Sequence, residues 1–336
     1  MTKLSHSLTS RLYLLGWAVV CRLPETWARG LFAAIADALW WAHGRGVRQL
    51  EANLARVLGP DAPPDRTRQV SRLGMRSYLR YWLEVFRLPV IPADQIMSRT
   101  RLYGGLDQAA LDHLAAGRGV IFALPHMGNY ELAGAWIIRR GAGPLTTVAE
   151  RLNADRVYQR FIRLREGLGM EVLPHAGANA FGQMARRLRQ GRLVCLVCDR
   201  DLTAHGVEVE FFGETARMAN VPATLAVQTG AALIPATLWF EGEYWAIRVY
   251  PEIAVPPGAS RPDKIALMSQ RLADAFEEGI REHPESWHML QKVFTADLDP
   301  QAWPGRTPAA SGRSRAWSRR RARRSPGADF GAGQLT

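Results

Sequence analysis

Cysteine and lysine are scarce in this 336-residue chain, with three of each. Three cysteines cannot build a disulfide framework, and their scarcity suits a reducing cytoplasm. Cys195 and Cys198 form a C-x-x-C, but no second pair completes a zinc site, and no metal is expected. They lie in the apolar run 193–198, where strand side chains three apart point to opposite faces, so they read as small buried residues. A long apolar run is missing too. Residues 11–42 are apolar and aromatic, but Arg22, Arg29 and Asp37 interrupt them and Pro24 divides them. Spanning a bilayer takes roughly 18–20 uninterrupted apolar residues, so two helices meeting near Pro24 are expected instead. No small-residue cleavage site follows, which argues against a secretory signal. Trp17, Trp27, Trp40 and Trp41 suit either a membrane interface or packing on the globular body. Internal repeats are absent.

What is present is mostly globular: apolar residues make up 47% and charged residues 22%. The net charge of +12 is uneven. From Pro304 onward there are eight arginines and one acid, a net of +7, which leaves +5 for the body. Residues 304–336 are Arg-, Ser-, Ala-, Gly- and Pro-rich and are expected to be a disordered tail.

Residues 1–300 read as a single domain, with a helical part at 1–95 and an α/β core at 100–300. Segments 47–58 and 67–88 carry apolar residues at three- and four-residue spacing, hence amphipathic helices. Strands are expected at 119–124, 145–149, 171–173, 193–198, 207–212, 233–239 and 245–250. Helices are expected at 107–116, 130–139, 154–168, 179–189, 219–229 and 262–282. Such alternation predicts a central, mostly parallel mixed sheet covered by helices on both faces, with apolar N-terminal helices added. Reactive residues then belong at the carboxyl ends of strands.

Four polar clusters follow predicted strands: His126-Met-Gly-Asn-Tyr-Glu131, Glu150-Arg151, Asp199-Arg200-Asp201, and Glu214 with Arg217. Together they suggest one polar cleft. A histidine in isolation is more often structural than catalytic. His126 differs, because Pro125 and Gly128 bracket a turn that presents it and an acid follows five residues on. Five helical steps of about 100° would set His126 and Glu131 about 140° apart, so both cannot be helical and face one site. His126 therefore belongs to the turn and Glu131 to the first helical turn, where a carboxylate also suits the dipole. Glu131 either orients the ring or braces the turn; Asp199 is a second candidate partner. Arg165, Arg200 and Arg217 are candidates for phosphate recognition or for surface ion pairs. No Ser or Cys has a nucleophile-elbow setting, so no covalent enzyme intermediate is expected.

HMGNYE resembles the His-four residues-acid signature of the lysophospholipid and lipid A type glycerolipid acyltransferases. LPHMGNYELAGAW, TTVAERL, RLREGLGMEVLP, VCLVCDRDL, GVEVEFFGE and Leu233-Ile234-Pro235 together resemble the phosphatidylinositol mannoside acyltransferases of actinomycetes, over roughly residues 5–300. The resemblance implies a peripheral enzyme on the cytoplasmic face of the cell membrane. It would move a palmitoyl-type chain from acyl-CoA, its co-substrate, to the 6-position of the 2-linked mannose of phosphatidylinositol mono- or dimannoside. No other cofactor is implied. His126 is then the base, Asp199 matches the carboxylate that pairs with it, and Glu131 matches the signature acid. Glu150, Arg165 and Glu214 match other polar positions of the cleft, and Arg151 adjoins them. Glutamate is common in the family where Asp199 stands, so a shorter side chain must reach the ring.

An acyltransferase of the same fold acting on a lipid A precursor or a lysophospholipid shares His126 and Glu131 and differs in its acceptor. A non-catalytic membrane- or RNA-binding protein would instead use the basic tail. No RNA-binding module precedes that tail, so no specific nucleic-acid partner is expected. Basic clusters are attracted to anionic lipid by about 1 kcal/mol per residue, which favours an anionic membrane surface over nucleic acid as the tail's partner; a solvated tail without a partner is the other reading. Oligomeric state is not legible.

Overall fold

The computed structural model describes residues 15–105, 107–149, 155–174, 179–201 and 206–298. Glu150, Arg151 and the 304–336 tail lie outside the described residues. The helical part comprises α1 (residues 15–22), α2 (Glu25–Trp41), α3 (Arg45–Leu58), α4 (Pro64–Arg87) and α5 (Ala93–Ser98). Then come β1 (Thr100–Tyr103), α6 (Asp107–Ala115), β2 (Val120–Leu124), α7 (Tyr130–Ile137), β3 (Leu145–Ala149) and α8 (Asp155–Gly167). The chain continues through β4 (Met170–Pro174), α9 (Ala180–Arg189), β5 (Leu193–Val197), β6 (Val207–Phe211) and β7 (Glu214–Met218). It ends with α10 (Val221–Thr229), β8 (Ala232–Glu241), β9 (Tyr244–Val249) and α11 (Arg261–Glu282).

Seven strands form one sheet in the order β1-β9-β8-β2-β5-β3-β4, parallel throughout except for the β8–β9 pair. The fold is therefore the α/β class expected. All five residues of β2 are buried, as a central parallel strand covered on both faces requires. Ile121 and Ala123 point into the core built with α9, α10 and α11. Val120, Phe122 and Leu124 point into the core beneath α6 and α7. From β2 the chain moves to one side for β3, β4 and β5, and later to the other side for β8. The carboxyl end of β2 is thus the switch point of the sheet, where α/β folds open their ligand crevice.

Two strands escaped the sequence pattern. β1 is a short, half-exposed edge strand. β7 pairs with β6 in a separate hairpin whose turn residues Phe212 and Gly213 both have positive φ, +50° and +79°. The fourth polar cluster is therefore not a strand-end loop: Glu214 and Arg217 sit on β7.

No described helix is long and apolar enough to cross a membrane. The inner side of α2 buries Ala28, Phe32 and Ala36. Its outer side exposes Trp27, Leu31, Ile35 and Leu39, four apart along one ridge. Two of the four tryptophans pack on the body and two are exposed. Trp17 is buried against Phe86 and Phe161, and Trp40 bonds Ser71 beneath the Arg68 guanidinium. Trp27 and Trp41 are 73% and 77% exposed.

Candidate active site

His126 lies two residues past β2 and Asp199 two residues past β5, on adjacent parallel strands. The Leu124↔Val197 register extends beyond the strands, with Cys198 N–H donating to Leu124 O at 2.9 Å. That extension brings the two side chains together, His126 Nδ1 lying 2.5 Å from Asp199 Oδ1. Asp199 Oδ2 accepts from the His126 backbone N–H and from Trp287 Nε1, both at 2.9 Å. The shorter aspartate reaches the ring because the strand register has already closed the distance. Asp199 is wholly buried, at 0% exposure. Burial alone would raise its pKa, but the His126 charge and the hydrogen bonds from His126 and Trp287 outweigh it and hold the carboxyl below its usual range. An ionised carboxylate at Nδ1 favours the tautomer whose Nε2 carries the basic lone pair. Nε2 has no partner among the described residues.

The turn that presents the ring is pinned. Gly128 has φ +57°, and a Cβ there would come within 2.7 Å of the Leu238 carbonyl group, so only glycine fits. Its N–H donates to Ser286 O at 3.0 Å, while His288 N–H donates to His126 O at 2.7 Å. Asn129 caps α7 by accepting from Leu132 N–H at 3.1 Å. The same Asn129 donates to the buried Glu84 of α4 at 2.8 Å.

Glu131 goes to a different partner. Arg165 Nε lies 3.0 Å from both of its carboxylate oxygens, and Nη2 donates to Oε1 as well. Burial would lower the Arg165 pKa, but the Glu131 charge and hydrogen bonds raise it. Of the two roles open to Glu131, the geometry is that of a brace: it ties α7 to α8.

A cavity of about 320 Å³ opens beside His126, lined on its polar side by Tyr130, Glu131, Arg165 and Arg200. Trp82, Leu145, Phe161 and Met170 form an apolar wall. A second, almost wholly apolar pocket of about 40 Å³ lies under α7 and shares Leu124, Gly134, Leu145 and Cys195 with the first. The three candidate arginines differ. Arg165 is occupied by Glu131, and Arg217 faces Asp201 at 4.0 Å and donates to Gly206 O at 3.1 Å. Arg200 lines the cavity with no hydrogen bond or ion pair among the described residues, and its Nε is buried. Neither Arg217 nor Glu214 lines the cavity, and Glu214 pairs with Arg56 Nε at 3.0 Å.

Cys195 and Cys198 face the two opposite cores, as strand alternation requires. Burial pushes the Cys195 thiol up to about 12 and raises that of Cys198, so neither is a thiolate near neutral pH. Among the described residues no group of three His, Cys, Asp or Glu is placed to hold a metal ion.

Sequence reasoning missed Trp287, His288 and Tyr81. His288 is buried, bonded through Nε2 to Ser77 Oγ at 2.8 Å, and burial lowers its pKa to about 3. Nothing in residue spacing links these groups to the motif. The one signal is the compact polar and aromatic run Ser286-Trp287-His288 just after the last helix.

The family described as bacterial lipid A biosynthesis acyltransferase matches residues 2–296. The phosphatidylinositol mannoside acyltransferase of Mycolicibacterium smegmatis is 45% identical over 295 residues, 86% of this chain and 92% of that protein. The enzyme of the same name from Mycobacterium tuberculosis is 47% identical over 303 residues, 88% of this chain and 92% of that protein. With a strand-end histidine held by a buried carboxylate beside a cavity with an apolar wall, this chain belongs to the bacterial lipid A biosynthesis acyltransferase family and is an acyltransferase.

Proposed function

We propose that this enzyme transfers a palmitoyl-type acyl chain from acyl-CoA to phosphatidylinositol mono- or dimannoside, at the 6-position of the 2-linked mannose. The names of the relatives support the acceptor class. The observation that carries the chemistry is the His126–Asp199 pair, whose ring borders a cavity lined by an apolar wall and by Arg200, which has no partner among the described residues. His126 Nε2 takes the proton of the mannose hydroxyl as its oxygen attacks the thioester carbonyl. The ionised Asp199 stabilises the imidazolium. The tetrahedral intermediate then collapses, the C–S bond breaks, and the departing CoA thiolate takes the proton from His126. The new C–O bond is the product ester. Cys195, the one thiol lining the cavity, stays protonated, which agrees with direct transfer and no acyl-enzyme. No metal or further cofactor enters these steps.

The apolar cavity wall and the pocket beneath α7 suit an acyl chain, and Arg200 suits a phosphate of the acceptor or of CoA. The exposed ridge Trp27, Leu31, Ile35 and Leu39 suits a helix lying in the headgroup region of the cytoplasmic face of the cell membrane. Purified enzyme given palmitoyl-CoA and mono- or dimannosylated phosphatidylinositol should add one ester at the 6-hydroxyl of the 2-linked mannose, read by mass spectrometry and NMR. Acylation of a lysophospholipid or lipid A precursor alone would overturn the acceptor.

A further inference from the structure

The attack leaves a negative charge on the thioester oxygen, and His126 cannot neutralise it while its Nε2 is engaged with the hydroxyl proton. Another donor must face the cavity. Tyr81 of α4 and Tyr130, the first residue of α7, both line it. Their hydroxyl oxygens are 2.6 Å apart, with Tyr81 donating to Tyr130. Two hydroxyls carry two protons, and this bond uses one of them. The Tyr130 proton meets no acceptor among the described residues. Its neighbour Glu131 is already turned to Arg165, which contacts both carboxylate oxygens.

Position and ionisation agree with a donor role. The Tyr130 ring meets the His126 ring edge to face, with centroids 6.4 Å apart and planes at 87°. Burial, reinforced by the Glu131 charge, raises the Tyr130 pKa; burial likewise raises that of Tyr81. Both phenols therefore keep their protons at any working pH. The start of α7 is fixed by the Asn129 cap, and Asn129 is fixed by Glu84, so the phenol is held in place before substrate arrives.

We propose that Tyr130 donates a hydrogen bond to the acyl carbonyl oxygen as it becomes an oxyanion, and that Tyr81 strengthens this donor by donating to it in turn. The inference rests on the acyl-transfer reading above. No proton changes hands at Tyr130: the phenol keeps its O–H bond throughout. A hydrogen bond accepted from Tyr81 polarises that O–H, as in any short donor chain.

Tyr130→Phe keeps the ring and removes the donor. Its kcat should fall about 100-fold, the scale of losing one oxyanion donor, with KM for both substrates held within about twofold. Hydrolysis of palmitoyl-CoA by water passes through the same oxyanion and should fall by the same factor. Tyr81→Phe should lower kcat by a smaller factor. The pH midpoints set by His126 should not move in either variant. Tyr81→Phe combined with Tyr130→Phe leaves no hydroxyl stranded, so it guards against a folding defect and should match Tyr130→Phe alone. Turnover by Tyr130→Phe within about threefold of wild type, or a loss confined to KM, overturns the proposal. His126→Ala is the separate control. If it keeps its turnover, the general-base reading itself falls. If it is inactive while Tyr130→Phe is unimpaired, only the Tyr130 assignment falls.

Discussion

Two buried carboxylates flank His126, and their partners give them different work. Asp199 stands in the loop after β5 against an imidazole, a side chain that can serve as a proton acceptor. Glu131 stands in the first turn of α7 against a guanidinium, which stays charged at every working pH. Both acids are removed from water and both are doubly held. On the proposed mechanism the first pair nonetheless forms a proton-transfer unit, and the second is a fixed strut. The partner, more than the carboxylate, decides the role. Adjacency in sequence misleads here: Glu131 is five residues from His126, and Asp199 is seventy-three.

The largest effect should come from the proton-transfer unit. Asp199→Asn keeps the size of the side chain but removes the charge that fixes the tautomer and stabilises the imidazolium. Its kcat should fall by about 10²–10⁴-fold while the fold persists, measured by steady-state kinetics beside a thermal melt. Retained turnover would mean that His126 works without this carboxylate and would erase the distinction between the two acids.

The strut should answer in stability. Glu131→Leu leaves the Arg165 cation buried without its counter-charge, a loss of about 3–5 kcal/mol in urea unfolding. Adding Arg165→Met replaces both partners with apolar groups of similar size and should restore most of that loss. Where the double variant folds, the pH midpoints of its residual transfer should match those of wild type. A shifted midpoint would place Glu131 in the proton-transfer unit after all.

How legible this arrangement was depends on which residues touch through the backbone and which through space. The β2 segment Val120–Leu124 was legible because a run buried on both faces is apolar at every position. His126 was legible because Pro125 and Gly128 mark its turn. Asp199 was visible as a strand-end acid, but its pairing with His126 depends on β2 and β5 being neighbours, which no local pattern encodes. The Glu131–Arg165 strut links the starts and ends of two helices and left no trace in the spacing. The β6–β7 turn was missed because Phe212-Gly213 is not one of the dipeptides that mark a tight hairpin. Trp287 and His288 reach the site from beyond α11, a connection made only when the chain is packed.

Acid should act on the proton-transfer side through His288. This ring is buried beside Ser77, Tyr78, Tyr81 and Phe240, and its backbone N–H holds the His126 carbonyl. Burial, with the nearby His126 charge adding to it, lowers its pKa to about 3, while Asp199 pulls weakly the other way. An unfolded histidine takes its proton near pH 6.5. Between about 6.5 and 3 the unfolded chain therefore binds one proton that the folded chain does not. Stability then rises with pH through that window and falls as the solution is acidified, by at most about 1.4 kcal/mol per pH unit. Asp199 adds to the loss at the acid end, because its depressed folded pKa contributes stability that disappears as pH falls through that value. Urea midpoints measured from pH 7 to pH 4 should show the slope. In His288→Phe with Ser77→Ala, where no buried polar group is left unpaired, the slope above pH 4 should flatten by up to about 1.4 kcal/mol per unit. An unchanged slope would show that the acid sensitivity arises away from His288, and that the ring supports His126 through its backbone alone.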